Sequence, residues 1–351
     1  MRVLITGGMG VIGAEASRKF VRESHRPVLY SRHRDQSLIS DIADKVDIEL
    51  GSILDRGRLA DVIKTRGITH VVHTAAYIGA LSAKFPAESV EINVMGTVNV
   101  LEAAREANVQ RVVYTSAKGI YGPMLGEYGA PTYKLVNEDH RKEPKRIYDS
   151  AKLMGEQATL YWGAQGLDVV VLRFATTYGP GKTARHGNMG VTSQIVEQPA
   201  RGEPFRLAQG GDEKDDFIYN KDSALGIYLA ATAKSLTSRV FNIGTGVGST
   251  LQDFAAILRR HLPNAVIEIG PGLNFLGSPY PMCGIYDISR ARNELRYRPQ
   301  YDLERGIADY LESLQRLKLR AASRGEPFAM SSNCLVFRSV SATGAGPPCA
   351  R

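Results

Sequence analysis

The sequence of 351 residues predicts an α/β fold, in which a doubly wound parallel sheet is joined to a smaller, partly interleaved C-terminal lobe. Short apolar segments alternate with amphipathic helical patterns through the first half, as parallel strands and crossover helices do. A glycine-rich turn follows the first of these apolar segments. The chain is also long enough to form two lobes.

The apolar segments give the order of the predicted sheet. We assign strands to Val3–Ile5, Val28–Tyr30, Ile48–Leu50, Val71–Val72, Val112–Tyr114 and Val169–Leu172. A long helix is predicted from Pro86 to Ala107, because apolar residues recur there at helical spacing. Its predicted buried stripe consists of Val90, Val94, Val98 and Leu101.

The first turn reads Thr6-Gly7-Gly8-Met9-Gly10-Val11-Ile12-Gly13. Gly7 allows a tight turn, Gly10 lets the backbone approach a phosphate, and Gly13 lets the helix pack close to the strand. A strand, a glycine turn and a helix N-terminus together predict a site for a dinucleotide pyrophosphate. A glycine-rich turn beside an ordinary core strand is the alternative.

The end of the second strand bears on the choice of cofactor. It reads Ser31-Arg32-His33-Arg34, where an enzyme that selects NAD usually has Asp or Glu for the ribose 2′-hydroxyl. Ser31 is not a carboxylate, whereas Arg32 or Arg34 can pair with a 2′-phosphate. These residues favour NADP over NAD. Solvent-exposed loop arginines are the alternative interpretation.

Two further segments are expected beside the cofactor. Gly51–Asp55 follows the third strand, where the adenine edge would lie, and contains Ser52 and Ile53. His73–Ala76 ends the fourth strand, and its small residues allow the backbone to approach a ligand. A tight helix–strand contact would explain them equally well.

Tyr148 and Lys152 are the candidate catalytic pair. On a helix, residues four apart share one face and lie about 6 Å apart along the axis. A neighbouring ammonium and a nicotinamide cation favour the phenolate and would lower a tyrosine pKa from its usual ~10. The pair therefore predicts proton transfer at a hydroxyl or keto carbon. An exposed Tyr/Lys pair on an amphipathic helix is the alternative.

Charge and cysteine content limit the classes of partner. The formal charge is +8, but the segment from Arg316 onward carries five of these charges, and no basic stripe with interleaved aromatics is present. No apolar run reaches membrane-spanning length. We therefore expect a small-molecule substrate, with no nucleic acid or membrane partner. Cys283, Cys334 and Cys349 lack metal-site spacing and indicate free thiols in a cytoplasmic protein.

Taken together, these motifs resemble the extended short-chain dehydrogenases/reductases of the NAD-dependent epimerase/dehydratase family. The resemblance runs from Met1 to about Leu311. Besides the glycine turn and the Tyr148–Lys152 motif, it rests on His73–Ala76, Asn93–Asn99, Thr115–Gly122, Arg173–Gly181, Asp216–Tyr219, Asn242–Gly246 and Asp287–Ser289. It implies a Rossmann domain over residues 1–174 and a substrate lobe over 175–315, with a strand at 240–243 returning to the main sheet. A homodimer is the assembly that we expect.

The resemblance also assigns site residues. Those implied to bind NAD(P) are Gly7, Gly10, Val11, Ile12, Gly13, Ser31, Arg32, Ser52, Ile53, Thr74, Ala75, Ala76, Asn93, Thr115, Tyr148, Lys152 and Phe174. Lys152 would hold the nicotinamide ribose. Those implied to bind substrate are Ala117, Lys118, Tyr148, Thr176 and Lys182.

One departure from the family pattern concerns catalysis. The family usually has Ser or Thr four residues before the tyrosine of its Tyr-Gly pair, and this chain has Ala117 before Tyr121. Ser116 is adjacent, but neighbouring strand residues point to opposite faces. Whether Ser116 acts as the catalytic hydroxyl is left open. A catalytically weak protein that senses the cofactor, or has a structural role, is one alternative reading.

Other departures concern the substrate. Thr176 replaces the family's Asn, and Asp215 occupies a position where nucleotide-sugar enzymes often have Arg. A carboxylate there would repel a diphosphate. Leu273–Cys283 contains no Arg or Lys. These features favour a small hydroxy or keto substrate, with a nucleotide-sugar epimerase or dehydratase as the alternative.

The last features lie at the expected cleft mouth and at the end of the chain. Lys182, Arg185 and His186 are able to bind a small anion, although a solvated basic loop explains them as well. Residues 320–351 are rich in Ser, Gly, Ala and Pro and are expected to form a flexible tail.

Overall fold

A computed structural model describes residues 1–183 and 190–317. Its strands are β1 (Val3–Thr6), β2 (Val28–Ser31), β3 (Asp47–Leu50), β4 (His70–His73), β5 (Arg111–Ala117), β6 (Val169–Phe174), β7 (Thr176–Tyr178), β8 (Phe205–Leu207), β9 (Asp215–Tyr219), β10 (Val240–Ile243), β11 (Gly248–Ser249) and β12 (Ile267–Ile269). Arg185, His186 and the predicted tail lie outside the described residues.

Helices flank these strands. They are α1 (Val11–Arg22), α2 (Arg56–Thr65), α3 (Gly79–Lys84), α4 (Pro86–Val90), α5 (Gly96–Glu106), α6 (Ile147–Ala164), α7 (Val191–Ala200), α8 (Asn220–Thr232), α9 (Leu251–His261), α10 (Ser289–Glu294) and α11 (Leu303–Arg316). A π-helical turn occupies Glu91–Met95, and short 3-10 turns occupy Ala43–Lys45, Lys118–Tyr121 and Gly126–Tyr128. None of the described helices is both long enough and apolar enough to cross a bilayer.

Seven strands form one parallel sheet in the spatial order β3-β2-β1-β4-β5-β6-β10. The predicted doubly wound α/β fold is confirmed, and each of the six predicted strands falls within an observed one. The strand order reverses between β1 and β4, which opens a crevice at their carboxyl ends. β10 lies at the sheet edge, so the chain returns to the main sheet after forming β7, β8 and β9.

The predicted long helix is interrupted. Pro86–Val90 and Gly96–Glu106 are α-helical, but the π-helical turn at Glu91–Met95 adds a residue and rotates the buried face. Val98 is consequently half-buried, whereas Leu101 is fully buried. The predicted buried stripe is wrong at Val98 for this reason, and Val90, which precedes the π-helical turn, is also only half-buried.

The second lobe is built from two small sheets and the later helices. β11-β9-β7 form one sheet and β12-β8 the other. Phe217, Phe254 and Tyr178 pack together at its centre, with Phe217 and Phe254 edge-on and their ring centres 5.2 Å apart. β7 begins two residues after β6 ends, so this lobe is anchored directly at the carboxyl edge of the main sheet.

Candidate active site

The glycine turn after β1 is shaped by close contacts. Gly7 has a φ of +68°, and a Cβ there would lie 2.9 Å from the Cα of Ala75. A Cβ on Gly13 would lie 2.2 Å from the carbonyl oxygen of Gly7. A Cβ on Gly10 would meet only that same oxygen within 4 Å, at 3.1 Å. Gly7 and Gly13 therefore close the turn, while Gly10 leaves room above it.

The start of α1 provides donors for an anion. The first intrahelical hydrogen bond runs from the Ala14 N–H to the Gly10 carbonyl at 2.8 Å, so the N–H groups of Val11, Ile12 and Gly13 precede it. Gly10 supplies no capping side chain, and the first turn contains no acidic residue. A helix N-terminus of this kind fits the pyrophosphate of a dinucleotide.

The end of β2 presents a cation and no acid. Ser31 is half-buried and Arg32 is exposed. Arg32 makes no ion pair with any acid among the described residues. Burial raises the pKa of Tyr77, in the loop after β4, and the charge of Arg32 opposes that rise.

Several of the residues predicted to bind the cofactor make hydrogen bonds or packing contacts at the rim of the crevice. Asn93 accepts the Tyr77 N–H at 2.7 Å and donates to the Tyr77 carbonyl at 2.8 Å, so both ends of its amide are engaged. The Tyr30 hydroxyl donates to the Ser52 carbonyl at 3.1 Å. Ile53 packs against Gly96, where a Cβ would lie 2.5 Å from its Cδ1.

The strand ends beneath this rim are also tied together. The Thr74 hydroxyl donates to the Thr6 carbonyl at 2.7 Å, and the Thr115 hydroxyl donates to the His73 carbonyl at 3.0 Å. Ala75 and Ala76 are half-buried, and Phe174 is buried at the end of β6. These contacts bring the predicted residues of β4, β5 and β6 to the same edge of the sheet.

His73 is a buried polar residue whose environment sequence reasoning did not predict. Its Nδ1 lies 2.7 Å from the Thr6 hydroxyl and its Nε2 lies 3.0 Å from the Thr97 hydroxyl. Burial lowers the pKa of His73 to about 3, with help from the nearby Lys152 charge. The ring is therefore neutral and links β1, β4 and α5.

Within the described residues, no cluster of His, Cys, Asp or Glu is able to hold a metal ion.

Tyr148 and Lys152 lie on the first turns of α6, which begins at Ile147. Lys152 is 3% exposed, and its Nζ lies 4.2 Å from the centre of the Tyr114 ring. The Tyr114 hydroxyl donates to the Lys152 carbonyl at 3.1 Å. The Tyr148 hydroxyl makes no hydrogen bond to any described protein group, and thus is available to a ligand.

The electrostatics of this pair differ from our expectation. Burial raises the pKa of Tyr148 above its usual value of 10, and the Asp149 carboxylate adds to the rise while Arg146 opposes it. Burial lowers the pKa of Lys152 to about 7, although Glu156 opposes the fall. Lys152 is not among the charged groups that act on Tyr148, so the lowering of the Tyr148 pKa expected from the ammonium and the nicotinamide cation together stays a prediction.

Ser116 points into a buried polar cluster. Its hydroxyl donates to the Glu156 carboxylate at 2.8 Å, and Arg173 pairs with the same carboxylate at 2.5 Å. Both charged side chains are at most 3% exposed. Ser116 is therefore engaged beneath α6, which argues against its replacing the hydroxyl missing at Ala117. The cluster fixes α6, which carries Tyr148 and Lys152, against β5 and β6.

The predicted substrate residues meet around Asp215. Lys118 forms an ion pair with Asp215 and donates to the Thr176 hydroxyl at 2.8 Å. Thr176 donates to the other Asp215 oxygen at 2.5 Å, and the Gly284 N–H donates to the carboxylate at 3.0 Å. The Lys118 ammonium offsets the negative charge of Asp215, which weakens the repulsion of a diphosphate that was expected from Asp215.

Lys182 lies near this group. Its Nζ donates to the Thr177 carbonyl at 2.5 Å. Burial lowers the pKa of Lys182 to about 8, Lys118 lowers it further, and Asp215 opposes both. Lys118 and Lys182 therefore donate to neighbouring residues of β7, Thr176 and Thr177. The backbone connects them to the catalytic helix, because Gly119 packs directly against Asp149.

A glycine-rich turn at a sheet crevice, with a tyrosine and a lysine one turn apart on α6, is the arrangement of the extended short-chain dehydrogenases/reductases. A family model for the NAD-dependent epimerase/dehydratase family matches residues 3–244, and the chain belongs to that family. The predicted resemblance is confirmed.

Known relatives extend this match beyond the first lobe. The putative UDP-glucose 4-epimerase of Methanocaldococcus jannaschii is 28% identical, over 87% of this chain and 95% of its own length. UDP-glucose 4-epimerase from Thermus thermophilus, in complex with NAD, has a TM-score of 0.76 and 25% identity, over 90% of this chain and 99% of that chain. A partial-consensus L-threonine 3-dehydrogenase has the same TM-score and identity, over 90% and 100%.

Proposed function

We propose that this protein is an NAD(P)-dependent oxidoreductase or epimerase that acts at a hydroxyl or keto carbon of a small sugar-like or other hydroxy or keto substrate. The observation that carries the proposal is the Tyr148 hydroxyl, which has no partner among the described residues and lies one turn before the buried Lys152. When bound, the nicotinamide ring supplies the acceptor or donor of hydride.

Tyr148 is the acid/base in this proposal. As a substrate hydroxyl becomes a carbonyl, the phenolate oxygen takes the hydroxyl proton, and in the reverse direction the phenol returns it. Because burial holds the Tyr148 pKa high, ionisation of the phenol requires positive charge that arrives with the ligands. Lys152 would donate to the cofactor ribose, and binding oxygens there would favour its charged form.

Dinucleotide binding rests on the glycine turn. The space above Gly10 and the N–H groups that begin α1 would hold the pyrophosphate. The preference for NADP over NAD rests on Ser31 and on Arg32, which pairs with no acid in the described part of the chain, whereas the Thermus relative is in complex with NAD. The preference, a homodimeric assembly and a cytoplasmic location stay predictions.

A nucleotide-sugar epimerase is the second candidate. The similarity to UDP-glucose 4-epimerases favours this function. The ion pair with Lys118, which offsets the negative charge of Asp215, favours it as well. The absence of Arg and Lys from Leu273–Cys283 is against it, because a diphosphate needs cationic partners. A purely cofactor-sensing role, suggested by Ala117, is disfavoured by the presence of both Tyr148 and Lys152.

The test combines two readouts on one protein. Absorbance of the reduced cofactor is followed with a panel of hydroxy and keto compounds, and product analysis by NMR detects epimerisation of UDP-glucose and related sugars without net cofactor change. Turnover that is lost in Tyr148→Phe supports the proposal. Turnover that survives this substitution, or a protein that binds no dinucleotide, contradicts it.

A further inference from the structure

A polar site beside α6 consists of Lys118, Thr176, Lys182 and Asp215. Lys118 follows directly after β5, and the next residue, Gly119, packs against Asp149, which adjoins Tyr148. Thr176 comes from β7, and Asp215 comes from the paired strand β9. Three elements therefore deliver charged and polar side chains next to the turn that carries the acid/base.

Positive charge exceeds negative charge in this site. Lys118 and Lys182 supply two ammonium groups, and Asp215 supplies one carboxylate. Lys118 and Asp215 are the charged groups that act on Lys182 among the described residues. Glu213 is also buried nearby, but it accepts the N–H groups of Asn274 and Phe275 at 2.9 and 3.2 Å. When both lysines are protonated, one positive charge is left without a partner in the part of the chain that the structure describes.

Hydrogen-bonding capacity is also left over. An ammonium has three N–H donors. Lys118 uses two of them, on Asp215 and Thr176, and Lys182 uses one, on the Thr177 carbonyl. The site therefore offers one donor from Lys118 and two from Lys182. A carboxylate carries a single charge, which matches the excess charge, and the lone pairs of its two oxygens are able to accept all three donors.

We propose that the substrate is a hydroxy or keto acid whose single carboxylate binds between Lys118 and Lys182. This inference rests on the proposed function and names the substrate class for the same site. Asp215 and Thr176 act as positioning residues that fix Lys118. A diphosphate with about two charges exceeds what the site neutralises, and so does a phosphate monoester with about 1.5 to 2.

The experiment compares acids with matched neutral compounds. NADP-loaded and NAD-loaded protein is titrated calorimetrically with a panel of hydroxy acids and uronic acids, with the methyl ester of each, and with UDP and glucose 6-phosphate. We expect the best ligand to be an acid that binds at least about tenfold more tightly than its ester, as one charge-assisted contact implies. Lys182→Met should remove this selectivity, and the exposed Lys214 provides the matched control, Lys214→Met.

Loss of the acid-over-ester preference in Lys182→Met, with the preference kept in Lys214→Met, supports the carboxylate site. The carboxylate site is overturned if every ester binds as well as its acid, or if UDP binds with micromolar affinity. In those cases the proposed function still stands if Tyr148→Phe abolishes turnover of whichever compound reacts, so the two claims fail separately.

Discussion

The Lys118 ammonium forms an ion pair with the Asp215 carboxylate, and the Thr176 hydroxyl donates a hydrogen bond to the same carboxylate. Thr176 and Asp215 each depart from the pattern of the family, and in the sequence they look like independent losses. In the structure they form one unit with Lys118. The unit is buried, since Asp215 is fully buried and the Lys118 side chain is 12% exposed.

The first prediction concerns the stability of this unit. Lys118→Met leaves a buried carboxylate without its partner, so the free energy of unfolding should fall by about 3 kcal/mol or more. Lys118→Met combined with Asp215→Asn should recover most of that loss, because no uncompensated charge remains. Urea unfolding of the single and double variants measures both values. A double variant as unstable as the sum of the two single variants would show that the residues act independently.

The second prediction concerns the cofactor. Because Arg32 has no ion-pair partner among the described residues and Ser31 replaces an acid, we expect NADP(H) to bind roughly tenfold more tightly than NAD(H), as one charge-assisted contact implies. Arg32→Ala should abolish the difference, while Arg22→Ala, at the exposed end of α1, should leave it intact. Calorimetric titration gives both dissociation constants. Equal affinities in the unchanged protein, or tighter NAD, would show that Arg32 is only a loop arginine.

The third prediction concerns pH. The Lys152 pKa is about 7 in the folded protein and near ~10.4 in an unfolded chain. Between these values the unfolded chain holds a proton that the folded protein has released, so this group makes stability rise as pH increases from 7 to 10. Lys152→Met should therefore stabilise the cofactor-free protein most at pH 7, with the gain shrinking towards pH 10.

The control for this prediction is Lys64→Met on the exposed face of α2, whose effect should not depend on pH. Urea unfolding at pH 7 and pH 9.5 supplies the comparison. A Lys152→Met difference that is constant across this range would mean that Lys152 keeps its charge when buried.

The fourth prediction concerns Ser116. Its hydroxyl is bound to Glu156, so Ser116→Ala should lower the free energy of unfolding by about 1 kcal/mol and change kcat less than threefold. Thermal unfolding and steady-state kinetics measure the two effects. A hundredfold fall in kcat at unchanged stability would place this hydroxyl on the substrate.

The main sheet was predictable because its strands are continuous apolar segments separated by helical patterns. The glycine turn was equally clear, and a Cβ on Gly7, Gly8 or Gly13 would collide with the backbone. The π-helical turn in the helix over 86–106 was not predictable, because apolar spacing alone does not reveal an inserted residue. The partner of Asp215 was also hidden, since Lys118 lies 97 residues away in sequence.

The effect of burial on the pKa values of Tyr148 and Lys152 was not predictable for a related reason. Four-residue spacing shows that Tyr148 and Lys152 share a helical face, but it does not show how deeply that face is buried. Burial lowers the pKa of Lys152 and raises the pKa of Tyr148, so it disfavours the charged form of each group.

The rate of turnover in Tyr148→Phe tests the central claim most directly. The substitution keeps the ring and removes the proton-transfer group, so kcat should fall by about a hundredfold or more while the dissociation constant of the cofactor changes less than threefold. Single-turnover reduction or oxidation of the bound nicotinamide, followed by absorbance, gives the rate of the chemical step. A rate in Tyr148→Phe equal to that of the unchanged protein would contradict the assignment of Tyr148 as the acid/base.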